Sequence, residues 1–583
     1  MRKDRKLHIT LVIAGQHEDI QSPIRLAISF CKALPGLYRN IWRPSLNLDD
    51  TLIVVVFWVS SSSYDFWSYQ KTLISISGLF MLVTQMESHV DPGPIDKSLL
   101  YDQDNHISSA IWDGQERGVL RCHEHTSMLE HWKLTPRQMA LVEKAGFGYF
   151  RTIPTIILDN SLISALVERW RRETNTFHFP VGEMTITLED VALILGLPVD
   201  GNPVIGPTVR TPSIVCQQLL GKVPKDLNGG MLKLNWLREF FSKCPDDASA
   251  EETARHTRAY LLYLVGCTIF STTTGNKVSV SFLTLFENFD EAGRFAWGAA
   301  ALAFLYRALG NASLKSQGTI SGSLTLLQCW SYYHLNVGQP KFNEEPNQGC
   351  FPFALRWKGR ASGTRSKTNI SAYRKALDSL QYSDVRWCPY KDLDSTVIPE
   401  DINSNLILRT SKTMLICFGK AERHLPDRCL RQFGMLQPIP EHPQKWERKI
   451  PAFDQGLDFS KEMEVELKGK IRSEIREWLE RGFYIVEDEE GVDESEYMEW
   501  YEKITRKYVG RPESLESEFQ RMVGAMREIE NIADSLAMAE MGSQDRKLLA
   551  EVKGTLQSCF NDVVGNSKRG RSKNAVKRKR EGG

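Results

Sequence analysis

Three segments in the middle of the 583-residue chain carry apolar side chains on more than one face of a helix. They are residues 258–270, 295–309 and 323–335. A helix with one apolar stripe lies at a protein surface, whereas a helix that is apolar on several sides is enclosed by other elements. The three segments therefore predict central core helices, and the fold class is expected to be mainly α, a multi-helix globular domain.

The composition bounds the class of protein. Hydrophobic residues make up 42% of the chain and charged residues 25%, which is typical of a globular protein with a sizeable core. The formal net charge is +1, so attraction to nucleic acid or an anionic membrane would have to be local. The 11 cysteines include no Cys-x-x-Cys pair, which argues against a zinc ribbon or a disulfide framework and favours a reducing compartment.

The first 85 residues differ from the rest. Two apolar runs, 52–59 and 73–83, are separated by a Ser-rich break that contains Asp65. Neither run is long enough to span a bilayer, which needs about 20 apolar residues, and the position does not suit a signal peptide. We expect that residues 1–85 are an atypical leader outside the working protein, with Met86 as the natural start. The competing interpretation is a weak membrane anchor.

A small β-hairpin is predicted over residues 177–186. Apolar and polar residues alternate on both sides of a turn at 180–183. Thr187 followed by Asp190 is the pattern of a capping box for the apolar helix 191–195. A hairpin that leads directly into a buried helix is therefore expected.

Several blocks of residues follow one another along the chain. They are Leu166-Val-Glu-Arg-Trp170, Thr176-Phe-His-Phe-Pro180, Gly182-Glu-Met-Thr-Ile-Thr-Leu-Glu-Asp-Val191, Leu195-Gly-Leu-Pro-Val-Asp-Gly201, Tyr260-Leu-Leu-Tyr-Leu264, Gly275-Asn-Lys-Val278, Phe295-Ala-Trp-Gly-Ala-Ala-Ala-Leu-Ala303, Leu305-Tyr-Arg307, Ala354-Leu-Arg-Trp357, His424-Leu-Pro-Asp-Arg428, Leu430-Arg-Gln-Phe-Gly434 and Tyr497-Met-Glu-Trp-Tyr501. Together they resemble the plant mobile domain, also called the aminotransferase-like plant mobile domain, and the resemblance covers residues 107–508. That family includes MAIN-like plant proteins and homologues of a long-form plant serine/threonine phosphatase, and its domain also occurs within transposons.

The resemblance implies nuclear action in transposable-element silencing, gene-expression regulation and meristem maintenance, alongside a phosphatase-like partner. We expect a non-enzymatic interaction protein. The alternative is a transposon-derived DNA-binding protein, and an enzyme of unknown type comes third. Seven residues of the blocks are candidates for an interaction or structural motif: Trp170, His178, Gly182, Glu183, His424, Asp427 and Arg428.

No catalytic, cofactor-binding or metal-binding residues are predicted. Residues 122–125, Cys-His-Glu-His, with His131 nearby, have the residue types of a zinc site. The spacing favours a polar surface turn instead.

His424 and Asp427 suggest a general acid/base pair, but an Asp that follows Pro426 is more often a helix N-cap. By the same capping argument, Asp290 and Glu291 are expected to cap the helix that bears Trp297. No phosphate-binding loop, Gly-x-Ser-x-Gly or His-Glu-x-x-His motif is present.

The tryptophans and an arginine cluster admit two interpretations each. Unpaired bases stack on aromatic rings, but the apolar surroundings of the tryptophans favour core packing. Three arginines beside Trp170 are interpreted either as phosphate contacts or as a solvated helix end. The tryptophans in question are Trp170, Trp236, Trp297, Trp330 and Trp357, and the arginines are Arg169, Arg171 and Arg172.

The C-terminal region changes in composition. Residues 512–562 predict a coiled-coil-prone helix, which either self-associates or binds a partner, or else folds back on the domain. Residues 563–583 predict a disordered basic tail with a bipartite nuclear localisation signal for importin. Nonspecific contact with nucleic acid is the alternative role for these charges. The basic residues are Lys568, Arg569, Arg571, Lys573, Lys577, Arg578, Lys579 and Arg580.

Overall fold

The computed structural model describes residues 7–14, 52–59 and 92–510, the last range without 116, 123–125, 206–210, 228, 341–349, 358–368, 392–394, 444–471 and 489–493. The chain divides into two compact units, Met1–Asp91 with Ser517–Gly583, and Pro92–Glu516. In the first unit, strand β1 (Leu7–Ala14) pairs antiparallel with β2 (Leu52–Val59). The β-branched and aromatic residues of β2 suit a strand.

Helices predominate in the second unit, as the sequence predicts. They are α1 (Ile107–Trp112), α2 (Pro136–Lys144), α3 (Asn160–Val167), α4 (Leu188–Asp190), α5 (Pro212–Leu220), α6 (Leu234–Phe241), α7 (Ala250–Cys267), α8 (Ser281–Thr284), α9 (Phe289–Ala292), α10 (Trp297–Ala312), α11 (Leu324–His334), α12 (Ile370–Asp378), α13 (Glu400–Asn403), α14 (Arg472–Leu479) and α15 (Glu494–Ile504). Short 3₁₀ turns connect several of these helices. None of the helices in the described part of the chain is long and apolar enough to cross a membrane.

Small sheets fill the gaps between helices. Their strands are β3 (Arg121–Cys122), β4 (Trp170–Arg171), β5 (Thr176–Phe179), β6 (Gly182–Met184), β7 (Met231–Lys233), β8 (Lys277–Ser279), β9 (Thr319–Ile320), β10 (Thr413–Cys417) and β11 (Lys420–His424). β3 pairs with β9 in parallel, whereas β7–β8 and β10–β11 are antiparallel pairs. The sheet β4–β5–β6 is antiparallel throughout.

The three predicted core helices correspond to α7, α10 and α11, and most of their side chains are buried in one continuous core. Small residues let α10 approach its neighbours closely. A Cβ on Gly298 would lie 2.9 Å from Val199 Cγ1, so glycine is required where α10 passes the segment after the hairpin. The prediction of central core helices is confirmed.

The predicted hairpin is confirmed as β5 and β6, with Phe177 opposite Met184. The sequence did not predict β4, which adds a third strand. The capping box of Thr187 and Asp190 is present, and the chain continues from α4 into a π-helical turn, Val191–Leu195. The turn ends at Gly196, whose φ of 65° favours glycine.

The predicted cap of the helix that bears Trp297 is wrong. Asp290 and Glu291 lie in the first turn of a separate short helix, α9, and Asn288 is its N-cap. The physical reason is that Asn288 accepts the N–H groups of Asp290 and Glu291 and starts a short helix there, while the two carboxylates pair with Lys144 and Arg294. α10 starts after Ala296 without a side-chain cap.

Described segments near the two ends of the second unit, 92–100 and 497–507, lie side by side next to the hairpin. Asp96 donates its backbone N–H to Lys503 O at 2.8 Å, and Lys507 donates to Pro92 O at 2.9 Å. Between them lies a second small core, composed of Leu99, Leu100, Tyr497, Tyr501 and Ile504. The hairpin is therefore enclosed by segments from both ends of the unit.

Candidate functional site

The hairpin strand β6 places Glu183 against Arg428, which lies in a 3₁₀ turn, Pro426–Arg428. Arg428 Nε donates to Glu183 Oε2 at 2.8 Å, and Nη2 donates to Oε1 at 2.6 Å. Thr176 donates its hydroxyl to the same Oε2 at 2.7 Å. Both ionic side chains are buried. This is the bidentate geometry that gives the strongest carboxylate–guanidinium pairs.

Two opposing effects act on the pKa of Glu183. Burial is the larger single effect and raises the pKa, but the combined effect of Arg428 and His178 outweighs it and holds the pKa well below its ordinary value. The carboxylate therefore stays ionised at neutral pH. A buried carboxylate that is already bonded to a guanidinium and a hydroxyl is suited to holding structure together.

His178 lies on the neighbouring strand and joins the same cluster. Its Nε2 is 3.6 Å from Glu183 Oε2, and its Nδ1 is hydrogen-bonded to Thr505 Oγ1 at 3.0 Å. Burial lowers the pKa of His178 more than Glu183 raises it, so the imidazole is neutral at physiological pH. His178 thus connects the hairpin to the chain that follows α15.

Gly182 lies close to Tyr497 of α15. Its φ of 129° is one that L side chains rarely adopt. A Cβ there would lie 3.3 Å from both Arg431 Nη1 and Tyr497 Oη. Tyr497 also accepts the backbone N–H of Glu183 at 3.2 Å, and Arg431 donates to Val181 O at 3.1 Å. Arg431 and Tyr497 were not among the predicted site residues, although both lie in the motif blocks, which was the available signal.

Trp170 is buried, with its ring centroid 4.8 Å from that of Phe177 and 5.0 Å from that of Tyr306. Trp297, Trp330 and Trp357 are buried too, which agrees with core packing. Trp236 differs, because it is only partly buried at the edge of the core.

The interpretations of the arginines as phosphate contacts or as a solvated helix end are wrong for Arg169 and Arg171, which are buried. Arg171 donates to Gln103 Oε1 at 2.8 Å, and Arg169 pairs with Asp378. Arg169 is enclosed by Asp378 and the backbone at Lys507, and Arg171 is enclosed by the segment that contains Gln103. Arg172 is more exposed and pairs with Asp102 at 2.7 Å.

His424 and Asp427 do not form an acid/base pair. His424 donates Nδ1–H to Ser411 O at 2.8 Å. Burial lowers its pKa to about 4, so Nε2 carries a lone pair, and it has no hydrogen-bond partner among the described residues. Asp427 accepts from Lys412 Nζ at 2.9 Å. The predicted N-cap role of Asp427 is also wrong, because it lies inside a 3₁₀ turn whose N-cap is Leu425.

Other polar residues of the motif blocks form buried pairs of the same kind. Arg374 binds Glu168 through two hydrogen bonds of 2.6 and 2.8 Å. His334 Nε2 lies 2.8 Å from Asp190 Oδ1, which also accepts from the Tyr390 hydroxyl at 2.7 Å. Each pair joins elements that are far apart in sequence.

One solvent cavity of about 370 Å³ lies at the open end of the β10–β11 hairpin, against one side of α14. Its wall is mixed in charge. The lining residues are Lys412, Thr413, Arg423, His424, Leu425, Ser473, Arg476, Glu477, Glu480 and Tyr484.

Some predicted sites lie outside the described residues. They include 123–125 of the zinc-like motif, the helix at 512–562, and the whole basic tail with its localisation residues. Within the residues that the structure does describe, no group of three or more His, Cys, Asp or Glu side chains is arranged to hold a metal ion.

Comparison with known proteins identifies the domain around this hairpin. A family model described as the plant mobile domain matches residues 146–502. The chain is 58% identical to Protein MAIN-LIKE 2 of Arabidopsis thaliana over 483 residues, covering 82% of this chain and 71% of that protein. It is 51% identical to Protein MAINTENANCE OF MERISTEMS of the same plant over 460 residues, covering 78% and 92%.

A more distant relative carries a phosphatase name. The chain is 36% identical over 439 residues to a serine/threonine-protein phosphatase 7 long form homolog of Arabidopsis thaliana, covering 72% of this chain but 32% of that protein. No solved structure matches. The family model covers most of the chain, and its range contains the hairpin, Arg428 and nearly all of α15. The chain belongs to the plant mobile domain family.

Proposed function

We propose that this chain is a non-enzymatic interaction protein of the plant nucleus that acts in meristem maintenance, gene-expression regulation and the silencing of transposable elements. The observation that carries the proposal is that charged residues of the motif blocks form ion pairs inside the domain. Glu183 and Arg428 bind each other inside the domain, as do Glu168 and Arg374. Side chains that would serve acid/base chemistry in an open site here join distant segments of the chain.

The relatives support the developmental part of the proposal. A protein named for the maintenance of meristems shares 51% identity with this chain over 92% of its own length. Identity at that level over most of both proteins supports a shared role. Transposon silencing rests on the family resemblance alone.

The partners are nuclear proteins, including a phosphatase-like protein. The phosphatase-named relative contains a segment similar to this chain over 32% of its length, which supports a functional connection between the two kinds of protein. The basic clusters of the tail, ending in Lys577–Arg580 by sequence, suit recognition by importin.

Affinity purification of the tagged full chain from plant nuclei, followed by mass spectrometry, tests the proposal. We expect a reproducible set of nuclear proteins that includes a phosphatase-like protein. Electrophoretic mobility assays of the purified chain across a salt series test the transposon-derived DNA-binding alternative. Direct binding that weakens steeply with salt would favour that alternative, because it reports the release of counterions from phosphates.

A further inference from the structure

A short unpaired sheet edge lies beside the cavity. Lys412 donates its backbone N–H to Tyr484 O at 2.8 Å, and Val486 donates to Thr410 O at 2.9 Å. These two bonds flank an antiparallel bridge between Ser411 and Ile485. In this pattern the N–H and C=O of Ile485 point away from Ser411. Neither group has a hydrogen-bond partner within the described residues, so residue 485 presents an open edge.

The edge is flanked by exposed apolar side chains. Phe483 is 88% exposed, Leu479 61% and Tyr484 45%. Single exposed apolar residues are common on protein surfaces. These three instead occur within six consecutive residues, and Tyr484 also lines the cavity. The unpaired N–H and C=O groups of a sheet edge are a template for pairing with another chain, and exposed apolar side chains beside them favour such pairing.

The acidic residues beside the edge indicate the charge of the partner. Residues 487–496 contain seven acidic residues among ten and no basic residue. Glu487 and Asp488 of this run are exposed. Two copies that paired here would bring Glu487 and Asp488 of both copies together, which disfavours self-association. A basic segment would instead be attracted.

The cavity agrees with a peptide occupant. Its wall combines Lys412, Arg423 and Arg476 with Glu477 and Glu480, so it does not select a simple anion or cation. Lys412 already binds Asp427 and Glu441. Glu480 accepts only the Tyr484 hydroxyl, at 3.4 Å, among the described residues, so its carboxylate can also accept from a basic side chain of the occupant.

We propose that the edge at residues 483–488 is a docking site for an extended basic segment of a partner protein. The segment adds a strand at Ile485, its apolar side chains cover Phe483 and Tyr484, and its basic side chains face Glu487 and Asp488. Main-chain hydrogen bonds give affinity in this mode, and alternate side chains give specificity. The inference rests on the proposed function as an interaction protein and names the surface that it uses.

Fluorescence anisotropy with the full chain tests the site. The probe is a labelled synthetic peptide that alternates Lys with Val, and its counterpart has Glu in place of Lys. We expect the Lys peptide to bind, the Glu peptide not to bind, and added NaCl to weaken binding. Phe483→Ser and the double change Glu487→Lys with Asp488→Lys should each weaken binding about tenfold or more.

The matched control is Ile95→Ser, because Ile95 is similarly exposed, at 82%, and lies elsewhere on the domain. Its binding should equal that of the unaltered chain. All changes are at exposed positions, so the thermal midpoint of each variant checks that folding is intact. Equal binding of both peptides, absence of binding to the Lys peptide, or unchanged binding by Phe483→Ser would overturn the docking site.

Purification from nuclei separates this inference from the proposed function. If the unaltered chain recovers no reproducible nuclear partners, the interaction function itself fails. If the unaltered chain and Phe483→Ser recover identical partner sets, only the docking site fails.

Discussion

Several charged residues of this domain are buried, and their effect on stability depends on how each one is paired. Removing a carboxylate or guanidinium from water is unfavourable, and only a well-formed partner offsets that loss. Glu183 has such a partner in Arg428, and Glu168 has one in Arg374. His424 avoids the cost of burying a charge, because it stays neutral and donates Nδ1–H to a backbone carbonyl. Because the pKa values of Glu183 and His424 are lowered in the folded chain, the protonation of these two residues is linked to folding.

His424 gives a prediction about pH. Its pKa is about 4 in the folded chain, chiefly because of burial, whereas an exposed imidazole titrates near pH 6.5. Between these values the unfolded chain binds a proton that the folded chain does not, so stability falls as pH falls through this window. His424→Asn keeps a donor for Ser411 and removes the titration.

Urea unfolding of both proteins between pH 7 and about 5 checks this. In the variant, the slope of the free energy of unfolding against pH should be smaller, by up to about 1.4 kcal/mol per pH unit. His106 and His178, whose pKa values are also lowered by burial, leave a residual slope. Identical slopes in the two proteins would be inconsistent with a buried neutral His424.

Sequence patterns predict local helices and strands better than they predict which distant side chains pair with each other. Alternation predicts β5 and β6, and the capping box at Thr187 was evident. The strand β4 was missed because two residues carry no periodicity. The burial of Arg169 was missed because it depends on Asp378, which is far along the chain. The pairing of Glu183 with Arg428 was missed for the same reason.

At the scale of elements, the hairpin and α15 form one unit. Tyr501 donates its hydroxyl to Phe179 O at 2.9 Å, and Tyr497 accepts the N–H of Glu183 at 3.2 Å. The side of α15 that bears these two tyrosines therefore covers β5 and β6. The close approach depends on Gly182, where no side chain separates the strand from the helix.

Gly182→Ala should destabilise the domain by about 2 kcal/mol or more, because it combines an unfavourable φ with contacts to Arg431 and Tyr497. The matched control is Gly114→Ala. Gly114 also has a positive φ, of 74°, but a Cβ there would meet no atom within 4 Å. Chemical denaturation should show a clearly smaller loss for the control. Equal losses of stability in the two variants would mean that the nearby α15 does not restrict the side chain at position 182.

At the scale of the whole molecule, the chain combines a family domain with a tail whose charge pattern suits transport. Replacing Lys577, Arg578, Lys579 and Arg580 by alanine should move a fluorescent fusion out of the nucleus, because importin binds basic peptides. A matched control replaces four exposed lysines of the domain by alanine, which removes the same charge: Lys97, Lys133, Lys225 and Lys391. Unchanged nuclear retention of the tail variant, or equal loss in the control, would contradict a localisation signal.

The central claim is that the motif residues hold the domain together and so present its surfaces. A double-mutant cycle on Glu183 and Arg428, followed by urea unfolding, tests it most directly. Glu183→Gln and Arg428→Met should each cost about 3–5 kcal/mol, because each leaves a buried group without its partner. The double variant should cost clearly less than the sum. Glu499→Gln is the control, since its pair with Lys503 is exposed and should contribute less than about 1 kcal/mol. Single variants as stable as this control, with additive effects, would contradict the account.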